Sequence, residues 1–265
     1  MPVGASLYQE ADTFVHRLDP RTKLFWMLSI NAAVFYFTHP AYQAVIILYV
    51  MSVAFIARIP ARAFIVIASF VAFASITSMI FWPRHVHQGQ ELFTFMGNVW
   101  TTGGLGFGLA MGLRVAGMVA AGAIWFMTTS PQILPLSLTR LGLPHKFGIG
   151  LSLMIRFVPY INWEARTIIE AQTSRGLDLQ QGSIIAKLRK YVPVFSPLFS
   201  RMFLLIQTLS ISLESKGFGC YNSRTSLREL SWHRWDRISI AAMILFLIIG
   251  LIMRVLGYGV IEGGI

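Results

Sequence analysis

Two short segments of this chain have residue types and spacing that could do chemistry on a partner: Ser174-Arg175-Gly176 and Ser215-Lys216-Gly217. Each closes a long stretch of helical apolar spacing. Glycine just past a last turn takes the left-handed cap, and a cation near a helix C-terminus complements the dipole, so capping explains either one alone. Two copies, both on a basic part of the chain, also suit docking of an exposed cation into an acidic groove of a soluble partner. Other chemistry-bearing residues are sparse. His85 and His87 form one HxH, a weak metal signal beside the ligand sets metals usually need. Gly103 to Gly108 superficially looks like a phosphate loop, but no strand is expected before it, an apolar run follows it and no GxxxxGK[ST] occurs anywhere. No Ser/His/Asp or Cys/His set is suggested by proximity, and the single Cys220 excludes an intrachain disulfide. The chain offers no catalytic machinery, no metal set and no cofactor motif of its own.

The elements that position the two tips follow from composition. Of 265 residues, 55% are hydrophobic and 12% charged, against about 25% charged in a soluble domain. That predicts an all-α membrane protein rather than a nucleic-acid binder, despite a formal charge of +11. Met1 to Glu10 lacks a basic n-region followed by an apolar core, so no cleavable signal peptide is expected. Leu24 to Ala57 contains no Asp, Glu, Lys or Arg. His39-Pro40 interrupts it, so it reads as two rather short spans joined by a tight turn. Further spans are expected at Ala63 to Trp82, Phe107 to Met127 and Ile238 to Met253, about five in all. The glycine-rich stretch Arg84 to Gly106 reads as a loop, with Leu92 to Trp100 re-entering or lying on the membrane. Small residues recur every fourth position at Gly104, Gly108, Gly112, Ala116 and Ala120, a stripe that packs closely against another helix, inside the chain or on a partner. Arg114 lies on the neighbouring face of that span, a functional candidate by default or a snorkelling side chain.

Basic residues set the orientation. With a cytoplasmic N-terminus, Arg17, Arg21, Lys23, Arg58, Arg62 and the cations between 130 and 237 put nineteen of the 22 Lys and Arg inside. A span at Phe195 to Leu213, alone or together with another at Phe147 to Ile161, would export five of these cations, so this region is expected to form long amphipathic helices near the inner surface. One runs from about His145 to Arg175 and contains Pro159. The other runs from about Ile184 to Lys216 and contains Pro193 and Pro197. Each extends over roughly 45 Å at about 1.5 Å per residue, with prolines bending it. Apolar stripes such as Ile149, Leu153, Phe157 and Ile161 must be buried in lipid, in a partner or against the chain's own spans. The expected organisation is therefore a four-span membrane domain at 1–129, a cytoplasmic helical domain at 130–236 and a final span at 237–265.

Several segments together resemble one family. His16-Arg17-Leu18-Asp19-Pro20-Arg21-Thr22-Lys23-Leu24 is similar to the N-terminal signature of the transmembrane T component of energy-coupling factor transporters, carried here by Arg17, Leu18, Asp19, Pro20 and Lys23. Thr128-Thr129-Ser130-Pro131, Gly142-Leu143-Pro144, Arg156-Phe157-Val158-Pro159 and Glu164-Ala165 also resemble that family, and the two tips fall where it carries paired Ala-Arg-Gly motifs. The resemblance covers residues 14 to 220. It implies that the tips insert into grooves on two cytoplasmic ATPase subunits, with Arg175 and Lys216 as the seated cations and Gly176 and Gly217 allowing a sharp exit. It also implies that the long helices hold a small substrate-binding membrane subunit, that ATP and Mg are bound by the partner subunits, and that this chain binds no cofactor. The chain departs from the pattern at Ser174, Ser215 and Lys216, and lysine lacks the planar bidentate contact of arginine.

The resulting expectation is a non-catalytic scaffold in the cell (inner, cytoplasmic) membrane. It would couple ATP hydrolysis in partners to uptake of a micronutrient such as a vitamin or a transition-metal ion such as cobalt or nickel. The alternatives from other classes are a membrane-embedded metal-dependent enzyme built on the glycine-rich loop with His85 and His87, and an ATPase-independent permease. Sparse acidic residues within the spans weigh against the permease.

Overall fold

The structure is a computed structural model describing residues 13–86, 90–95, 98–178, 183–220 and 232–258, with the side chains of 92–95, 98, 99, 184 and 186 excepted. The helices are α1 (Phe14–Arg17), α2 (Pro20–Tyr36), α3 (Pro40–Ile56), α4 (Ala61–Phe81), α5 (Thr102–Thr128), α6 (Leu134–Arg140), α7 (His145–Ser174), α8 (Ile184–Ser215) and α9 (Arg234–Val255). Helix dominates the chain, as its composition predicts. Residues 13–148 with 232–258 belong to one compact unit, and residues 149–220 to a second.

Four helical segments are long and apolar enough to cross a membrane among the described residues: Ala61–Arg84, Thr102–Thr128, Lys187–Ser215 and Arg234–Val255. The segments α2 and α3 are apolar but have 17 residues each, about 25 Å of rise against a hydrocarbon core of about 30 Å. They are the two short helices expected around His39-Pro40. Proline opens each as its first residue, where the missing N–H has no intrahelical role. The chain is an all-α membrane protein.

The stretch from Arg84 to Gly106, expected as a loop, carries regular structure. After a 3-10 turn at Trp82–Arg84, strands β1 (Glu91–Phe95) and β2 (Asn98–Thr101) pair antiparallel. The expected re-entrant or surface-lying segment, Leu92 to Trp100, is this hairpin. Its β-prone residues flank Gly97 in the sequence, a turn signal that glycine-richness alone does not separate from loop. Thr101 then caps α5, its Oγ1 accepting from the Gly104 amide at 3.1 Å.

In the larger unit α5 packs against α2, α3 and α4, and α9 lies against α2. The small-residue stripe is the reason α5 can be central. A Cβ built on Gly112 would lie 2.5 Å from the Ser75 Cα, and one on Gly108 3.0 Å from the Met79 Cα, so the backbones of α4 and α5 touch. Ala116 and Ala120 are buried as well. Gly104, Gly108 and Gly112 are thus spent on packing within the chain. The core of the unit includes Trp26, Ile30, Val34, Val50 and Ile124.

The end of α2 explains Arg114. The last carbonyls of a helix have no intrahelical donor, and lipid supplies none. Arg114 Nε donates to the Val34 carbonyl at 3.2 Å and its Nη2 to that of Phe37 at 3.1 Å. Gln43 Nε2 donates to the same two carbonyls at 2.8 and 2.6 Å, and Arg254 Nη1 to Phe35 at 2.9 Å. The guanidinium inside the span is a helix cap, and it completes the connection between α2 and α3.

Candidate docking site

Both tips fold the same way. At the end of α7 the Gly176 amide donates to Thr173 at 2.9 Å and the Leu177 amide to Gln172 at 3.0 Å, with Gly176 at φ +90°. At the end of α8 the Gly217 amide donates to Glu214 and the Phe218 amide to Leu213, both at 2.9 Å, with Gly217 at φ +67°. Each is a complete Schellman motif, which requires a left-handed residue and hence favours glycine. The same pattern closes α6 at Gly142 and α9 at Gly257, so glycine here reports capping and not docking. The side chain just before the glycine separates the four. It is leucine at 141 and 256, but Arg175 and Lys216 at the two tips, both exposed. A cation is thereby held at a helix C-terminus, where the dipole favours it, with its charged end outward.

In the smaller unit, side chains of α7 reach α8. Along α7 the residues Glu164, Ile168 and Gln172 recur at four-residue spacing and so share a face. Glu164 is buried, and its Oε1 lies 3.3 Å from Nε of the exposed Arg201 on α8. Ile168 is buried, as is Val194 on α8. Gln172 Nε2 donates to the Pro193 carbonyl at 3.4 Å. Pro159, Pro193 and Pro197 all lie inside the helices, where each lacks an N–H for the carbonyl four residues back.

Long apolar faces remain uncovered by the chain itself. On α8, Ile185, Leu188, Val192, Phe195, Phe199 and Phe203 alternate at three- and four-residue steps and are each more than half exposed. On α7 the most exposed apolar residues are Phe147, Met154 and Val158, whereas the stripe of Ile149, Leu153, Phe157 and Ile161 is half-buried. Monomeric soluble surfaces rarely carry so large a contiguous patch, so lipid or another protein must cover it.

The N-terminal signature residues gather at one end of the larger unit. Asp19 caps α2, its Oδ1 accepting from the Arg21 amide at 2.9 Å, and Pro20 is the first helical residue. Lys23 is buried and donates to the carbonyls of His16 at 2.9 Å and Thr128 at 2.8 Å, the latter in the last turn of α5. Leu18 is half-buried at the end of α1, and Arg17 is exposed. Sequence reading missed the partner that organises this cluster. Asp236, 1% exposed, accepts from the Asp19 amide at 2.9 Å and the Thr22 hydroxyl at 3.1 Å through Oδ1, and from the His233 amide at 3.0 Å through Oδ2. A lone acid just ahead of the last apolar run was its available signal. The Arg21 guanidinium also lies 5.9 Å from the Trp232 ring centroid.

Residues singled out for other chemistry are not gathered with these. The His85 ring packs 4.9 Å from that of Phe81, and His87 lies outside the described residues. Among the described residues no three His, Cys, Asp or Glu side chains are grouped to hold a metal. Cys220 is exposed three residues beyond Gly217.

Comparison with known proteins matches residues 11–227 to the family described as Cobalt transport protein, a stretch holding both tips and the N-terminal signature. The energy-coupling factor transporter transmembrane protein EcfT of Streptococcus thermophilus is 32% identical over 262 residues, covering 93% of this chain and 95% of its own length. The proteins of that name from Staphylococcus aureus and Bacillus subtilis are 28% and 27% identical, over 94% and 89% of this chain and 96% and 92% of theirs. With this likeness over nearly the full length, the chain belongs to the family of energy-coupling factor transporter transmembrane proteins.

Proposed function

We propose that this subunit, a transport component and not an enzyme, couples ATP hydrolysis by two cytoplasmic ATPase subunits to uptake of a micronutrient, a vitamin or a transition-metal ion, through a small substrate-binding membrane subunit. The carrying observation is the pair of tips, each holding an exposed cation against its own helix dipole at the end of a helix of 30 or 32 residues. Such a cation fits an acidic groove, and two of them fit two grooves. ATP and Mg belong to those partners. The uncovered apolar face of α8 suits a membrane subunit lying on it. Although Lys187–Ser215 is long enough to span, it carries Lys187, Arg189 and Lys190 at one end, Arg201 near its middle and Lys216 just past the other end, and keeping all of them inside puts both ends on the cytoplasmic side. The cell membrane with a cytoplasmic N-terminus follows from the same bias.

Arg175→Glu tests this. Truncating one partner of a desolvated charge pair costs about 2–5 kcal/mol, and reversal costs no less, so ATPase capture weakens at least about thirtyfold. The assay is co-purification of ATPases with the tagged chain from mild detergent, with membrane insertion as control. Normal recovery of both ATPases with the variant would sink the docking role.

A further inference from the structure

The Schellman turn at the first tip and the proline pair of the second helix meet at one residue. Pro197 has no N–H, so the Pro193 carbonyl loses the donor that residue 197 would supply in a regular helix. Gln172 Nε2 fills that place from α7, 3.4 Å away. The Gln172 carbonyl, in turn, accepts from the Arg175 amide at 3.1 Å and from the Leu177 amide at 3.0 Å, the bonds that form the tip. The side chain reaches the proline pair of α8 while the backbone holds the turn that presents Arg175. Glu164 with Arg201 joins the same two helices two turns away, and the buried Ile168 and Val194 lie on the two helices between those contacts.

We propose that Gln172 is a positioning residue that ties the first docking tip to the proline pair of α8, so that displacement of one tip moves the other helix. This rests on the docking role of the tips, but its geometric part holds for the chain alone. The link exists because of a vacancy that Pro197 creates. An N–H restored at position 197 therefore makes the Gln172 amide redundant, a dependence that simple helix stabilisation by Gln172 does not predict.

The test uses the full chain in lipid nanodiscs, spin-labelled at native Cys220 and at Thr173→Cys, with the tip-to-tip distance distribution read by double electron–electron resonance. Gln172→Glu removes the donor at constant size and should broaden the distribution. Gln172→Lys keeps a donor on a long stem and should restore it. In a Pro197→Ala background, Gln172→Glu should add no further change. An unchanged distribution in Gln172→Glu, or equal broadening with and without Pro197, overturns the link. In the complex captured through its ATPases, Gln172→Glu should lower Mg-ATP turnover by about fivefold, the worth of one hydrogen bond, with the KM for ATP unchanged. Turnover equal to wild type overturns the coupling role. Failure of the wild-type chain to capture ATPases would speak against docking, and the distance measurement would still decide the link.

Discussion

Asp236 should behave as the anchor of the signature cluster, and the size of the effect can be worked from its partners. Its Oδ1 serves the Asp19 amide and the Thr22 hydroxyl, and its Oδ2 serves the His233 amide. Asp236→Asn keeps one oxygen, so one of these sides must face an NH2 group. A buried donor left without an acceptor costs about 1–3 kcal/mol, which puts the asparagine variant near 2 kcal/mol. Asp236→Ala removes both oxygens. The Thr22 hydroxyl can rotate to another acceptor, but the two backbone N–H groups cannot. Two orphaned donors, together with loss of the anion at the start of α2, come to about 4 kcal/mol. At about 2–4 °C per kcal/mol for a chain of this size, the midpoint falls by about 4–8 °C in Asp236→Asn and about 8–16 °C in Asp236→Ala. The assay is thermal unfolding of the purified chain in detergent, followed by tryptophan fluorescence, with Trp232 and Trp235 close to the site. An alanine variant within about 2 °C of wild type, or an asparagine variant as damaging as alanine, would refute this account.

The glycines of α5 should divide by contact and not by residue type. Gly112→Ala drives a Cβ to 2.5 Å from the Ser75 Cα and 2.9 Å from the Ala74 carbonyl oxygen, both backbone, and should cost about 1–3 kcal/mol despite better helix propensity. Gly122→Ala meets nothing within 4 Å and should stabilise by up to about 1 kcal/mol. Opposite signs in the same thermal assay are the expected outcome. Arg58 ends α3 in the left-handed position that glycine usually fills, at φ +52°. Arg58→Gly should therefore raise stability by about 1 kcal/mol, and a fall would show that its side chain offsets the strain.

The helices, their proline and glycine ends and the two tips were legible in the sequence because their causes are local. Proline has no N–H at any position, glycine relieves a left-handed cap wherever one occurs, and a run without charges prefers lipid whatever surrounds it. The hairpin at 91–101 was less legible, because its strands are short and glycine signals loop and turn alike. The resemblance of the N-terminal signature to a family was visible from residues 16 to 24 alone, but not what those residues touch. Asp236 lies 217 positions from Asp19, Thr128 lies 105 from Lys23, and Val34 lies 80 from Arg114. Such pairings depend on which helix ends are brought together, and side-chain type does not encode that. The tertiary structure decided that Arg114 is a cap, that the α5 stripe packs on α4, and that Gln172 replaces a donor missing from a different helix. The physical reason is the same in all three. Hydrophobic burial is non-directional and can be read as pattern, whereas an orphaned carbonyl or donor is satisfied only by the group that folding places within about 3 Å of it.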